Sequence, residues 1–399
     1  MLRVLALCVT ACVAFAGVGG ATALSRFTGN VDDVDADTLL GDDRPEASTP
    51  DPEDPNAGTP LNIVLMGSDD RSGANAGLVA DDTEGMRSDT TMILHISADR
   101  SRVELVSVPR DSTVDVPSCP TTSGTTTNPM SGTKFNSAFA AGADLGGDVA
   151  SGALCTMRTI ESLTDVRMDG FVVIDFAGFQ AMIDALGGVE LCIPEAVHSP
   201  KANNLTLPAG VQMLDGGTAL SYARARTGQG LGDGSDLGRI GRQQELMAAL
   251  VRTVLGKNLL TDAGALVQFL DAVTSSLTMS DNFSSVTGLA GLAYSAKGID
   301  LGSITFMTVP NGTDPTNPNN VVWTSDADQL WDNLKNDRPA GATEQAGGEQ
   351  DAGSSDATPQ TGTGPAGPED ATETAPAPAE TKDAGEEAFS AQDVTSVCG

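Results

Sequence analysis

Between residues 61 and 338, short apolar runs alternate with amphipathic stretches. Residues 61–66, apolar except for Asn62, end in a polar turn at 67–71, the signature of a buried strand. After a Gly-rich loop to Met86, residues 91–97 and 102–108 predict a second and third strand, separated by a turn at Asp99 and Arg100. A long loop covers 115–133, and a small-residue segment follows at 138–141. Asp148 is placed to cap a helix reaching Leu163, in which Leu154, Met157, Ile160 and Glu161 recur at helical spacing. Residues 170–176 are rich in β-branched side chains and predict a strand; a helix over 177–186 then stops at Gly187 and Gly188. A strand at 189–193, irregular chain at 195–210 and a short helix at 216–223 lead to a Gly-rich loop at 227–238. The pattern continues with a helix at 240–255, helical patterns at 262–276 and 282–296, a strand at 303–309 and a helix at 326–335. Strands alternating with helices predict a layered α/β domain.

The sequence outside this block is of a different kind. Residues 4–24 carry no charge and follow Arg3, long enough to cross a bilayer with the basic end inside. This predicts a single-pass type II membrane protein with residues 1–3 cytoplasmic and the bulk exported. A signal peptide cleaved near Ala21-Thr22-Ala23 is the alternative. Residues 25–60 and 339–399 are acidic and rich in Pro, Gly, Ala and Thr, so composition assigns both to disorder. The net charge of −32 excludes a nucleic-acid-binding role, which needs a basic footprint.

Of six cysteines, Cys8 and Cys12 lie in the apolar segment; Cys119, Cys155, Cys192 and Cys398 remain. Four cysteines in an exported domain predict two disulfides, for which three connectivities exist. Cys119 and Cys155 are the nearest pair; Cys192 would then bond Cys398 and pin the acidic tail to the domain.

Seven of the sixteen arginines fall at strand ends, in loops or at a helix start: Arg71, Arg87, Arg110, Arg224, Arg226, Arg239 and Arg242. Layered α/β folds place ligands where strands run out into loops. A guanidinium fork bonds two phosphate oxygens at once, so a phosphate or pyrophosphate is the simplest ligand for such a set. Arg239, Arg242 and Gln243 share a helix face by their i, i+3, i+4 spacing, near a helix start where a bound anion would use the free N–H groups. The bland alternative is a pair of solvated arginines, one of them paired with Asp236. Asp69, Asp70 and Asp89 are the acidic counterpart: two carboxylates beside a pyrophosphate suit Mg²⁺, and one alone could act as a general base. A salt bridge to Arg71 or Arg87 is the structural alternative. Lys134 and Asn136 are spaced to reach one ligand. His95 lies mid-strand and reads as a core residue. There is no zinc spacing, no phosphate-binding P-loop, no dinucleotide fingerprint and no nucleophile elbow.

Eight ordered segments together resemble the LytR–CpsA–Psr (LCP) family: NIVLMGSDDR at 62–71, RSDT at 87–90, VPRD at 108–111, KFNSAF at 134–139, VVIDFAGF at 172–179, ALGGVE at 185–190, LSYARAR at 220–226 and GRIGRQQ at 238–244. The resemblance covers roughly 61–335. It implies a three-layer α/β/α domain over 61–338 with a central mixed sheet and a deep apolar groove for a polyprenyl chain. It implies a phosphotransferase that attaches a polyprenyl-pyrophosphate-linked glycopolymer to peptidoglycan, with release of polyprenyl phosphate. Asp69 and Asp89 match the family's metal-linked carboxylates, with Mg²⁺ expected and Mn²⁺ possible. Arg110, Arg224, Arg226, Arg239 and Gln243 match its pyrophosphate binders, with Arg242 adjacent; Arg71, Arg87 and Lys134 match further motif positions. Many high-GC Gram-positive relatives add a second globular domain where residues 339–390 are low in complexity here. A high-GC Gram-positive source leans the glycan towards arabinogalactan, with teichoic acid among the alternatives.

Overall fold

The computed structural model describes residues 32–49, 58–70, 75, 85–232, 234–256, 277–284, 298–342 and 381–398. The readings of 4–24, of Arg71, of the helical pattern at 262–276 and of most of that at 282–296 lie outside these residues. No helix among the described residues is long and apolar enough to cross a membrane.

The framework is one mixed sheet of eight strands: β1 (Asp32–Val34), β2 (Leu61–Ser68), β3 (Ser88–Ile96), β4 (Val103–Ser107), β5 (Gly170–Ile174), β6 (Leu277–Ser280), β7 (Ile304–Thr308) and β8 (Phe389–Ser390). Their spatial order is β1-β6-β5-β2-β3-β4-β7-β8. The pairs β1/β6, β5/β2 and β4/β7 are parallel and the others antiparallel. The central strands are buried on both faces, which is why they read as continuous apolar runs and not as alternation. Val64, Met66, Ile93, Val106, Phe171 and Val173 point to one face. There they pack on α2 (Ser137–Gly146), α3 (Val149–Thr164) and α7 (Ser325–Lys335) through Phe139, Leu154, Met157, Ile160 and Trp331. Leu65, Met92, Leu94, Leu105 and Phe306 point to the other face, towards α6 (Asp236–Gly256). Beside α6 lie α4 (Phe176–Ala185) and α5 (Gly216–Arg224), with two small hairpins at 189–214, in a second apolar cluster. The domain is the expected three-layer α/β/α sandwich.

Caps set the helix starts. Asp148, Asp175 and Asp215 each accept the N–H three residues on, at 2.7–2.8 Å, at the heads of α3, α4 and α5. The region 115–133 is more regular than a loop: Thr113–Val116 and Met130–Lys134 pair antiparallel.

The acidic flanks require a correction. Residues 32–49 are ordered. β1 pairs with β6, and α1 (Ala36–Leu40) buries Ala36 and Leu40 in the core. Arg44, the single base in 31–60, has a fully buried side chain and grips the buried Glu161 of α3. Composition averages over a segment and misses one residue that meets a buried carboxylate. At the other end, β8 adds to the sheet edge, with Phe389 stacked on Phe306 at 5.2 Å between ring centroids. The two disulfides are Cys119–Cys155 and Cys192–Cys398, with Cα separations of 5.0 and 5.7 Å. The second closes the terminal segment onto the hairpin at 189–214, as the pairing read from the sequence anticipates.

Candidate functional site

A cavity of about 760 Å³ opens between the sheet and the layer of α4, α5 and α6. Most of its wall is aliphatic or aromatic: Leu65, Met92, Val172 and Ile174 from the sheet, Phe176, Phe179, Met182 and Ile183 from α4, Leu220 from α5, and Leu246, Met247 and Leu250 from α6. Several of these side chains are only half buried, so this face of the sheet is left incompletely covered.

Charge is concentrated where β2 and β4 end and β3 begins. β2 and β3 pair Gly67 with Thr90 and then Ser68 with Ser88, which leaves Asp89 as the extra residue of a bulge. Successive residues of a regular strand face opposite ways; here the bulge lets Asp89 and Thr90 both line the cavity. Asp69, at the end of β2, is locked to β3 by two bonds: its N–H donates to Arg87 O at 2.9 Å, and its Oδ1 accepts the Arg87 N–H at 2.6 Å. Both aspartates read as metal-linked therefore reach the same cavity wall.

The arginines converge on Asp89. Arg110, just past β4, donates to Asp89 Oδ1 at 2.8 Å; Arg226, just past α5, donates to Oδ2 at 2.6 Å. Arg239, in the first turn of α6, lies 3.9 Å from Oδ2 and pairs with Asp236. Arg239 is 2% exposed, among the largest buried side chains of the described residues and far from a solvated surface arginine. Burial opposes ionisation of Asp89, but the charges of Arg110, Arg226 and Arg239 outweigh it and hold the carboxyl below its ordinary value. Burial, added to the crowding by Arg110 and Arg226, lowers Arg239 to about 10 against the pull of Asp236 and Asp89, so it stays cationic at neutral pH. Burial pushes Asp236 upward even with Arg239 and Arg110 beside it.

This cluster is short of hydrogen bonds. Arg110 Nε lies 3.2 Å from Asp236 and 3.4 Å from Asp111 without the geometry of a bond to either, and Arg239 Nε and Asp236 Oδ2 have none. Unsatisfied buried groups cost about 1–3 kcal/mol each. Such a cost at one end of a cavity marks a functional site more than a stabilising one.

Not every residue picked from the sequence arrives here. Arg87, Arg224 and Gln243 line the cavity, Arg224 with its guanidinium 4.4 Å over the Phe176 ring. Arg242 does not line it. Its buried side chain donates to the carbonyls of Leu231 and Ala225, tying the Gly-rich loop to the end of α5. The shared helix face expected for Arg239, Arg242 and Gln243 thus divides: Arg239 and Gln243 face the cavity, and Arg242 braces the backbone that carries Arg226. Lys134 does not line the cavity either; its Nζ bonds Asp111 at 2.6 Å, on the far side of Arg110. Asp236 and Asp111 were not among the expected site residues, yet they hold Arg239, Arg110 and Lys134. The signal was available for Asp236, three residues before Arg239 on the same helix. His95 is a core residue, buried between Asn62 and Asp337.

The oxygens of Asp69 and Asp89 are the hard donors Mg²⁺ prefers. No group of three or more metal-binding side chains occurs among the described residues. That donor set fits Mg²⁺, which takes one or two carboxylates and completes its shell with phosphate and water, better than a dedicated all-protein cage.

The sequence profile of the LytR_cpsA_psr family matches residues 27–338. The chain is 31% identical over 275 residues to "Cell wall biosynthesis protein LcpA" of Corynebacterium glutamicum, covering 62% of this chain and 49% of that protein. It is 30% identical over 225 residues to a "Polyisoprenyl-teichoic acid--peptidoglycan teichoic acid transferase TagU" of Halalkalibacterium halodurans, covering 56% and 62%. The chain spans about half the length of the corynebacterial relatives it matches. Among solved structures, Bacillus subtilis TagV superposes with a TM-score of 0.52 at 21% identity, covering 70% of this chain and 97% of that one, a likeness of fold.

Proposed function

The chain belongs to the LytR–CpsA–Psr family, and we propose from that premise that it is a transferase carrying a polyprenyl-pyrophosphate-linked glycopolymer to peptidoglycan. One observation carries the reading: a largely apolar cavity whose wall also carries five arginines, Lys201 and three aspartates, Asp69 and Asp89 among them. That juxtaposition suits an amphiphile with a hydrocarbon chain and an anionic head. The relative from Halalkalibacterium halodurans is named for transfer of teichoic acid to peptidoglycan, and the proposal extends that chemistry to this chain.

In this reading the apolar wall takes the polyprenyl chain. Arg110, Arg226 and Arg239, with Arg87, Arg224 and Gln243, hold the pyrophosphate oxygens. A hydroxyl of the wall polymer attacks the phosphorus nearer the sugar, the bond to the bridging oxygen breaks, and polyprenyl phosphate leaves as the hydroxyl proton is released. The arginines lie where charge builds on the leaving phosphate, and preorganised positive charge is the main source of catalysis in phosphoryl transfer. Asp69 and Asp89 would hold Mg²⁺, which would supply further neutralisation of the pyrophosphate. An Asp89 held ionised below the ordinary carboxylate range by its arginines is a poor general base. The same reading places the domain outside the membrane, where its two disulfides persist.

The test is release of polyprenyl phosphate from a polyprenyl-pyrophosphate-linked sugar by the full chain in detergent, with solubilised peptidoglycan as acceptor and with Mg²⁺ or with EDTA. Metal-dependent release of polyprenyl phosphate is expected. Arg226→Ala should lower the rate by roughly 10²–10³-fold, the scale for losing one preorganised donor, with an unchanged circular dichroism spectrum because Arg226 is exposed. Binding without turnover would make the chain a carrier, and a fully active Arg226→Ala would overturn the site.

A further inference from the structure

The transfer reading leaves the second substrate without a site, because the cavity and the arginines account for the donor alone. An acceptor must reach the cluster from its outer side. That side is Asp111, which lies against Arg110 at 3.4 Å and holds Lys134, neither of them in the cavity wall. The chain just after Arg110 is stitched to the hairpin of Asn311–Thr313 and Val321–Trp323. Val321 N–H donates to Asp111 O at 3.1 Å, the Trp323 indole N–H to Ser112 Oγ at 3.1 Å, and Asn320 Nδ2 to Thr113 Oγ1 at 3.0 Å.

The hairpin differs in chemistry from the rest of this acidic chain. Residues 309–323 contain four asparagines and two threonines, and Asp314 is their one ionisable side chain. Asp314 is spent inside the loop: it accepts from Thr113 Oγ1 at 2.6 Å and from Thr316 N and Oγ1 at 2.7 and 2.6 Å. What remains exposed or half exposed is uncharged: amides, hydroxyls and the indole, with Pro315, Pro318, Val321 and Val322 among them. Both tryptophans of the chain are here: half-buried Trp323 rests against buried Trp331 with ring centroids 5.3 Å apart. A rigid aromatic ring amid neutral hydrogen-bonding groups suits the apolar faces and hydroxyls of sugar rings; a polyanion would find no cation within residues 309–323, and Lys134 nearby is already paired with Asp111. Asn320 Oδ1, buried and without a hydrogen-bond partner, adds an unmet acceptor beneath the hairpin.

We propose that the Asn311–Trp323 hairpin, with the outer side of Asp111 and Lys134, is the subsite for the neutral glycan strand that accepts the transferred polymer. The proposal rests on the transfer reading. Donor and acceptor then meet at Arg110, whose guanidinium holds Asp89 on the cavity side and faces Asp111 on the other. Trp323 is a binding residue in this assignment; it touches the glycan and not the reacting phosphorus.

The tryptophans supply a reporter. Chitotetraose, an uncharged β-1,4-linked N-acetylglucosamine oligomer standing for the neutral glycan backbone, titrated into the full chain in detergent, is expected to change the intrinsic fluorescence saturably. In Trp323→Phe that response should vanish while the signal of Trp331 persists. In the coupled transfer assay, Trp323→Ala is expected to raise KM for the glycan at least tenfold with less than twofold change in kcat; if that variant fails to fold, Asn311→Ala takes its place. A response of equal size to dextran sulfate would overturn the assignment to a neutral glycan. An unchanged KM together with no fluorescence response would overturn the subsite. Donor turnover by the parent with acceptor present is measured alongside: its absence would refute the transfer reading, and the fluorescence titration would still decide the hairpin.

Discussion

Arg44 gives the sharpest test of where the domain begins. Its Nε donates to both Glu161 oxygens at 3.0–3.1 Å, and Nη2 donates to Glu161 Oε1 and to Met168 O, each at 2.7 Å. The Arg44 side chain is 0% exposed and that of Glu161 2%. In Arg44→Ala the carboxylate keeps one bond, from Met168 N at 3.0 Å, and stays out of water. Removing one partner of a buried ion pair costs about 3–5 kcal/mol, a large share of the roughly 5–15 kcal/mol that holds a domain together. With a guanidinium slope of roughly 6 kcal/mol/M for a chain of this size, the unfolding midpoint should fall by about 0.5–1 M. Arg158 provides the control. It pairs with Asp43, whose side chain is fully exposed, so Arg158→Ala should cost no more than about 1 kcal/mol. Adding Glu161→Gln to Arg44→Ala should recover part of the loss, since a neutral amide is cheaper to bury than a charge. A cost below about 1 kcal/mol for Arg44→Ala would refute the reasoning and return the domain boundary to residue 61.

Two further outcomes are expected. Cys398→Ser opens a loop of 206 residues and should lower stability by about 2–5 kcal/mol, read as a lower thermal midpoint that reductant does not lower further through this bond. Asp89 has a depressed pKa in the folded state, so its contribution is fully present above the ordinary value of about 3.9 and is lost as pH falls through the folded value. Stabilities of Asp89→Asn and the parent should therefore differ at neutral pH and converge in acid; convergence already at pH 6 would show that the arginines do not hold the carboxylate ionised.

The apolar period and the turn residues determined the fold class. Strands buried on both faces had to be long aliphatic runs, and Asp148, Gly187 and Gly188 marked helix ends by local backbone chemistry alone. The family motifs named Asp69, Asp89, Arg110, Arg226 and Arg239, and all five line one cavity. The cysteine pairing was legible too, since four half-cystines leave few choices. Tertiary structure decided the rest. Helical spacing could not say that Arg242 turns to carbonyls while Arg239 turns to the cavity, because that depends on which backbone packs beside α6. The bulge that turns Asp89 inward is a property of two strands in register, visible in neither alone. Arg44 was one base in an acidic tract until Glu161, 117 residues away, gave it a partner. A local sequence specifies backbone preference and residue chemistry; contacts between distant segments decide which side chains are buried together, and hence which charges become a site.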